Sequence, residues 1–226
     1  GKVVDTSSGL VAYYNFDGNA NDNSGNGYNG VVAGATLVSG VKGQAYSFDG
    51  ASTISVSNIT FSTNEYTISG WIKTSEPAKT EKWRNWISKF SSTTSPFELG
   101  INDGRAPWLN GPYFMAWSKS QGIFNIGNGN YNGRDGNWHM MSGTYKQGEQ
   151  KLYFDGVLED TKATAATPTT TSTPLRIGAN NFEGFETEDG IFMDFHGDID
   201  EVRVWNNDLT QGEITALFED GTVPQT

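Results

Sequence analysis

The chain has no cysteine, which excludes a disulfide scaffold and any thiol chemistry. It has no apolar run of about 18 residues, so no segment reads as a transmembrane helix. Basic residues are scarce: 15 Lys+Arg stand against 26 Asp+Glu, a formal net charge of −11. An acidic surface without a basic stripe repels phosphate, which argues against nucleic acid as a partner. Only two histidines occur, His139 and His196, with no HExxH spacing, so a catalytic zinc site has little support. A Gly-x-Ser-x-Gly elbow is also absent. The chain opens Gly1-Lys2-Val3, without Met and without a charged segment leading into an apolar one, and is expected to be a mature or excised segment.

What the sequence does hold is glycine and aromatic side chains: 28 Gly, 7 Trp, 9 Tyr and 13 Phe in 226 residues. That length suffices for one large β domain, and the aromatics can supply its core. Asp-Gly occurs seven times, at Asp17, Asp49, Asp103, Asp135, Asp155, Asp189 and Asp220, and Asn-Gly recurs at Asn26, Asn29, Asn110, Asn128 and Asn132. These dipeptides tolerate the positive φ of tight turns. Between them lie short runs rich in β-branched and aromatic residues: Leu10–Phe16, Ala45–Phe48, Thr53–Val56, Tyr66–Lys73, Trp86–Phe90, Phe97–Ile101, Tyr113–Trp117, Ile123–Ile126, His139–Tyr145, Lys151–Phe154, Leu175–Ile177 and Ile199–Trp205. Many alternate with period two, the pattern of strands with one buried face. Lys151–Leu158, centred on Asp155-Gly156, predicts a hairpin with a two-residue turn.

One segment predicts a helix. Thr210-Gln-Gly-Glu213 has the spacing of a capping box, and Ile214, Leu217 and Phe218 follow as one apolar stripe, ending near Asp220-Gly221. Many strands and one short terminal helix, without βα alternation, predict an all-β sandwich. The Thr- and Pro-rich stretch 163–174 is taken as a loop within one domain spanning 1–226.

Three blocks stand out together. The first is Gly9-Leu-Val-Ala-Tyr-Tyr-Asn-Phe16-Asp17-Gly-Asn19-Ala-Asn21-Asp22-Asn-Ser24-Gly-Asn26. The second is Gly43-Gln-Ala-Tyr-Ser-Phe48-Asp49-Gly50 followed by Tyr66-Thr-Ile-Ser69-Gly-Trp71-Ile. The third is Gly197-Asp-Ile-Asp200-Glu201-Val-Arg203-Val-Trp205, with Trp138–Tyr145 and Leu152–Gly156 between the second and third. In this order they resemble the concanavalin A-like, laminin-G-like jelly-roll domains of bacterial extracellular proteins. The resemblance covers nearly the whole chain. It implies two packed antiparallel sheets with adjacent terminal strands, and a calcium ion, often structural, near the chain ends. The expected ligands are Asp17, Asn19, Asn26 and Asp200; calcium takes six to eight oxygens, and the loop from Asp17 to Asn26 is rich in them. A second calcium could draw on Asp103, Asp135, Glu186, Glu188 or Asp189, but spacing selects none of these.

The fold hosts lectins, binding modules, adhesion modules and a few enzymes, so function has to be argued from the site. Glycosidases on this fold carry Glu-x-Asp-x-Glu on a strand. Here the run is Asp198-Ile-Asp200-Glu201, and strict alternation would turn Glu201 to the face opposite Asp200. Asp200 is therefore read as a metal ligand, and Glu201 as an edge residue or a salt-bridge residue toward Arg203. Sugars offer a hydroxyl rim and an apolar C–H face, which suits an aromatic plane flanked by polar groups. Loops rich in such groups nominate Trp83, Arg105, Trp108, Tyr113, Tyr131, Arg134 and Phe185, while Trp71, Trp138 and Trp205 are assigned to packing. The resulting expectation is a non-catalytic, monomeric, carbohydrate-binding module of a larger secreted or surface-attached bacterial protein. An adhesion or spacer module that recognises protein is the alternative, and a glycoside hydrolase or lyase the third reading.

Overall fold

The computed structural model describes residues 5–57, 59–60, 62, 64–76, 83–91, 94–103, 110–118, 122–127, 133–164, 168, 171–179 and 195–222, with backbone only at 83, 102–103, 110, 117–118 and 122–125. Its strands are β1 (Leu10–Tyr14), β2 (Val31–Ala33), β3 (Thr36–Ser39), β4 (Gln44–Asp49), β5 (Thr53–Val56), β6 (Glu65–Lys73), β7 (Trp83–Lys89), β8 (Thr94–Asp103), β9 (Asn110–Ser118), β10 (Gly122–Gly127), β11 (Trp138–Lys146), β12 (Glu149–Phe154), β13 (Val157–Ala163), β14 (Leu175–Ile177) and β15 (His196–Trp205). A single helix, α1 (Gln211–Thr222), follows them.

Two antiparallel sheets result. The eight-stranded sheet runs β13-β12-β11-β6-β15-β4-β3, with β1 pairing β15 as well. The seven-stranded sheet runs β10-β9-β8-β7-β14-β5-β2. The pairing of β1 with β15 makes the terminal strands neighbours, as the family resemblance implies. Every run that alternation marks is a strand. The hairpin at Asp155-Gly156 forms with φ of 49° and 76°, the two positive values that a type I′ turn requires. Strands β2 and β3 lie outside the predicted set. They are short edge strands in which little is buried, and Val31 is 67% exposed, so they carry no apolar alternation to detect.

Alternation sorts the side chains into two clusters. Facing inward from the eight-stranded sheet are Ile68, Ile72, Met141, Leu152, Ile199, Val202 and Val204; they meet Ile54, Val56, Trp86, Ile87, Phe97, Leu99, Phe114 and Ile177 of the other sheet. A register shift between Asn85 and Ile87 lets the consecutive residues Trp86 and Ile87 both enter this core. The Trp86 ring crosses to β6, where a Cβ on Gly70 would come within 2.6 Å of it.

The outer face of the eight-stranded sheet is closed by α1. Trp71, Met140, Tyr153 and Trp205 pack there against Leu209, Ile214 and Leu217. The Phe218 ring stacks on Trp71 at 5.4 Å, and Gly221 lies against the same indole, leaving no room for a Cβ. The capping box forms as predicted: Thr210 N donates to Glu213 Oε2 (2.7 Å), and Glu213 N donates to Thr210 Oγ1 (3.3 Å). Because α1 is held by its apolar stripe more than by its cap, Ile214→Ala should cost about 2–4 kcal/mol in urea unfolding and Thr210→Ala about 1 kcal/mol; equal losses would mean the helix is not docked by its stripe.

Candidate functional site

Six connections leave the same end of the sandwich: β4–β5, β6–β7, β8–β9, β10–β11, β12–β13 and β14–β15. The registers show this. His196 pairs with Asp49, and Lys73 pairs with both Trp138 and Asp198; Trp83 pairs with Asn102, and Gly127 with Tyr113. The strand ends that flank the nominated loops therefore lie at one rim. Of the nominated residues, Trp83 begins β7, with its side chain outside the described residues, and Arg105, Trp108, Tyr131 and Phe185 also lie outside them. Arg134 is half-buried in the β10–β11 connection.

Tyr113 is a correction. It was nominated as a ligand-binding aromatic at the head of the run Tyr113–Trp117, but it is the fourth residue of β9 and only 2% exposed. The residue opposite it is Gly100, which leaves room for the ring; a Cβ there would sit 2.8 Å from the Tyr113 hydroxyl. The Gly/Pro-broken sequence ahead of Tyr113 hid the fact that the strand had already begun.

Within this rim lies a cleft of about 460 Å³, lined by Lys73, Thr74, Ser75, Glu76, Gly136, His196, Gly197 and Asp198. Its charges are balanced locally. Lys73 Nζ stands 3.5 Å from Asp198 Oδ2 and 5.8 Å from the centre of the Trp138 ring. Glu76 Oε2 is 2.6 Å from Arg84 Nη1 and 4.0 Å from His196 Nδ1. Two glycines make the geometry. Gly50 (φ 83°) seats the His196 ring where a Cβ would overlap Nε2, and Gly197 (φ 145°) brings β15 against the Lys73 carbonyl. His196, for which the sequence shows no zinc-site spacing, lines this cleft; Lys73, Glu76 and Asp198 were not nominated, because each looks in sequence like an ordinary strand-end charge.

Behind the cleft, the outer face of the seven-stranded sheet carries a polar row. Ser55, Arg176, Ser88, Glu98 and Met115 are consecutive cross-strand partners. Arg176 Nη1 donates to Ser55 Oγ (2.9 Å), and Ser88 Oγ donates to the Ala179 carbonyl (3.0 Å). Asn85 Nδ2 donates to Glu98 Oε2 (2.7 Å), and both residues are buried. Asn85 Oδ1 is also buried and has no hydrogen-bond donor among the described residues. Arg84, next to Asn85 on β7, pairs in register with the core residue Ile101 and so turns away from this row, toward Glu76 in the cleft.

The expected calcium ligands lie toward the other end. Asp17 Oδ1 accepts the Gln44 amide (2.9 Å), and Asp200 Oδ2 accepts the Lys42 amide (3.1 Å). Both carboxylates therefore meet the β3–β4 turn, whose Gly40 and Gly43 leave them room. Asn19 and Asn26 do not join them. Asn19 Oδ1 accepts the Asn21 amide (2.8 Å), and Asn26 Nδ2 donates to the Leu10 and Val11 carbonyls (3.1 and 2.9 Å). Asp22 organises this loop, accepting the amides of Tyr13, Ser24 and Tyr28 and the Ser24 hydroxyl at 2.8–3.0 Å. Among the described residues no three His, Asp or Glu side chains gather as a metal cluster.

The carboxylates of Asp200 and Glu201 also depart from strict alternation. A register shift between Asp200 and Arg203, with φ of 51° at Glu201, marks a β-bulge. Glu201 pairs with Arg203 (2.5 Å), as the sequence suggested, and accepts the Tyr13 hydroxyl (3.0 Å). It thus lies on the same outer side as Asp200 rather than opposite it. Burial is the main reason that the Asp200 carboxyl is pushed up to about 7.

Gly50→Ala should lower stability by more than about 1 kcal/mol, since it combines strained φ with a lost ring seat. It should also shift the His196 ring resonances in NMR; unchanged resonances would show that the imidazole is not seated on Gly50.

A family model for the concanavalin A-like lectin/glucanases superfamily, Laminin_G_3, matches residues 48–215. No curated protein matches the chain. Among solved structures it is similar to domain 4 of AbnA, a GH43 extracellular arabinanase from Geobacillus stearothermophilus, in complex with arabinotriose; identity is 21%, TM-score 0.72, and 92% of this chain and 97% of that one are covered. It is also similar to the binding domain of Paraclostridial Mosquitocidal Protein 1 (18%, TM-score 0.75) and to that of botulinum neurotoxin serotype D (16%, TM-score 0.70). Both alignments cover 95% of this chain and 52% of the other, so the chain spans about half of those binding domains. By the extent of the family match, joined to its two-sheet architecture, the chain belongs to the concanavalin A-like lectin/glucanases superfamily.

Proposed function

We propose that this domain is a non-catalytic, carbohydrate-binding module of a larger secreted or surface-attached protein, and that the sugar binds in the rim cleft. The observation that carries the reading is the cleft itself. About 460 Å³ accommodates one or two sugar rings, and its lining offers an ammonium, two carboxylates, an imidazole and the Ser75 hydroxyl. A half-buried Trp138 stands beside Lys73. Charges paired with one another suit a neutral, hydroxyl-rich ligand better than a net ion. The buried Arg84–Glu76 pair holds one wall in place. The strand ends flanking the nominated loops meet the same rim, and the side chains of Trp83, Arg105, Trp108, Tyr131, Arg134 and Phe185 are the proposed aromatic and cationic additions to the site.

Support also comes from the neighbours. The arabinanase domain was solved with arabinotriose, and cell entry of botulinum neurotoxin type C, whose structure is similar at 18% identity, depends on two ganglioside molecules. Calorimetric titration with arabinotriose and with ganglioside oligosaccharides tests the reading. Lys73→Ala and Trp108→Ala should each weaken binding about tenfold or more, near 1.4 kcal/mol, with the fold intact by circular dichroism. A glycan panel with no binder, together with capture of a protein ligand, would favour an adhesion module instead.

We also propose that Asp17 and Asp200 hold a structural calcium at the β3–β4 turn. The residues fit in part: two carboxylates reach one turn, and no cationic side chain pairs with Asp200 among the described residues. Carbonyls of the turn would supply the remaining oxygens a hard cation needs. Chelator should lower the Tm and calcium restore it, with about 2.7 kcal/mol of stabilisation when the ion is at a hundred times its Kd. A Tm that ignores both would remove the ion from the account.

A further inference from the structure

We propose that His139 is a positioning residue for the cleft: its protonated ring fastens the wall made by Asp135 and Gly136, so that ligand is held more tightly in mildly acidic than in alkaline solution. This rests on the cleft being the glycan site.

The ring stands at the start of β11 with a carboxylate at each nitrogen. Nδ1 is 2.8 Å from Asp155 Oδ2, and Nε2 is 3.1 Å from Asp135 Oδ1. A neutral imidazole has one N–H and can donate to only one of them, whereas imidazolium donates to both. The two contacts are not equivalent. Asp155 is held in the β12–β13 turn, and its Oδ1 accepts the Met140 amide at 2.9 Å. Asp135 belongs to the β10–β11 connection, and its side chain is 39% exposed. Loss of the proton therefore leaves the Asp155 bond in place and turns a lone pair toward Asp135, releasing that side.

What is released is the wall of the cleft. Asp135 Oδ1 accepts the Asn137 amide (2.8 Å), and the Gly136 amide donates to the Thr74 carbonyl (3.0 Å). Gly136 and Thr74 both line the cleft. The ring cannot easily swing away to evade the repulsion, because it stacks on Phe154 at 4.8 Å.

The charged groups facing His139 are Asp155 from the β12–β13 turn and Asp135 from the β10–β11 connection. Its partner on β6 is Ile72, and the next residue there, Lys73, is engaged with Asp198 and the Trp138 ring. The hydrogen bond to Asp155 is the largest influence on the imidazole, followed by burial, which opposes it; Asp135 adds to the first, and the balance raises the pKa above the ordinary imidazole value. For a raised histidine, the added stability is fully present below the unfolded value and is lost as pH rises through the folded one. Fastening is thus a property of mildly acidic solution.

The test compares wild type with His139→Gln and Asp135→Asn at pH 5.5 and 8.5. The second variant changes an exposed side chain and keeps the ring, so a folding failure of the first would not decide the matter. In wild type, Gly136 amide protection, corrected for intrinsic exchange, should fall several-fold at pH 8.5, and the Kd for arabinotriose should rise about three- to tenfold, the worth of one charge-assisted hydrogen bond. Both differences should be flat in each variant. Equal protection at the two pH values, or variants that keep the wild-type profile, would overturn the proposal. Protection that titrates while arabinotriose binds at neither pH would refute the glycan reading of the cleft and leave the fastening of the wall standing.

Discussion

The docking of α1 on the eight-stranded sheet decides what the rest of the surface can do. Trp71 and Trp205 are placed by alternation on the outer side of that sheet, where they would expose large apolar areas without a cover. Ile214, Leu217 and Phe218 supply that cover, and Gly221 lets the helix backbone come down onto the Trp71 ring. Strand β6 is consequently buried on both sides along most of its length. That sheet is thereby closed to a ligand over its centre. The positions left for recognition are its rim and the opposite sheet, which is where the polar side chains have collected.

The polar layer of the seven-stranded sheet stiffens the rim from behind. A hydrogen bond such as Asn85–Glu98 is electrostatically strong when shielded from water, and a buried group left unmatched is costly. The same holds for the Arg84–Glu76 pair: removing one partner would strand the other, so the arrangement resists displacement even where its net contribution to stability is small. Glu76 presents the second of these pairs to the cleft. A sugar binding there meets a wall whose orientation has already been set by folding, so less ordering remains to be done on association.

The fold was legible in the sequence because a two-layer sandwich writes its core as period-two alternation, and turns with positive φ demand Gly, Asn or Asp. The hairpin at Asp155-Gly156 and the capping box at Thr210 were readable for that reason. The strands β2 and β3 were not, since edge strands facing water obey no apolar pattern. The cleft was only partly legible. Sequence nominated the loops, and the topology brings them to one end, but Lys73, Glu76 and Asp198 become a site only through pairing of β6 with β15 and the approach of Arg84 from the other sheet. Tyr113 illustrates the converse error: an aromatic beside Gly and Pro looks exposed until the glycine opposite it in the sheet, Gly100, is known.

The acidic run Asp198-Ile-Asp200-Glu201 shows how one backbone irregularity redirects chemistry. In a regular strand, Asp198 and Asp200 would share a face and Glu201 would leave it. The bulge returns Glu201 to the outer side, so that three carboxylates lie within four residues. Proximity does not make them a hydrolytic pair. A glycosidase needs two carboxyl groups that flank an accessible bond, one protonated and one ionised. Asp200 is fully buried beneath the β3–β4 turn and takes backbone amides from Lys42 and Glu201. Glu201 is buried as well and bound to Arg203 and Tyr13. Asp198 alone reaches the cleft, where Lys73 faces it. One open carboxylate beside an ammonium can grip hydroxyls, and the other carboxylate of the cleft, Glu76, is held by Arg84; Asp200 is kept out by the β3–β4 turn, and Glu201 by Arg203 and Tyr13.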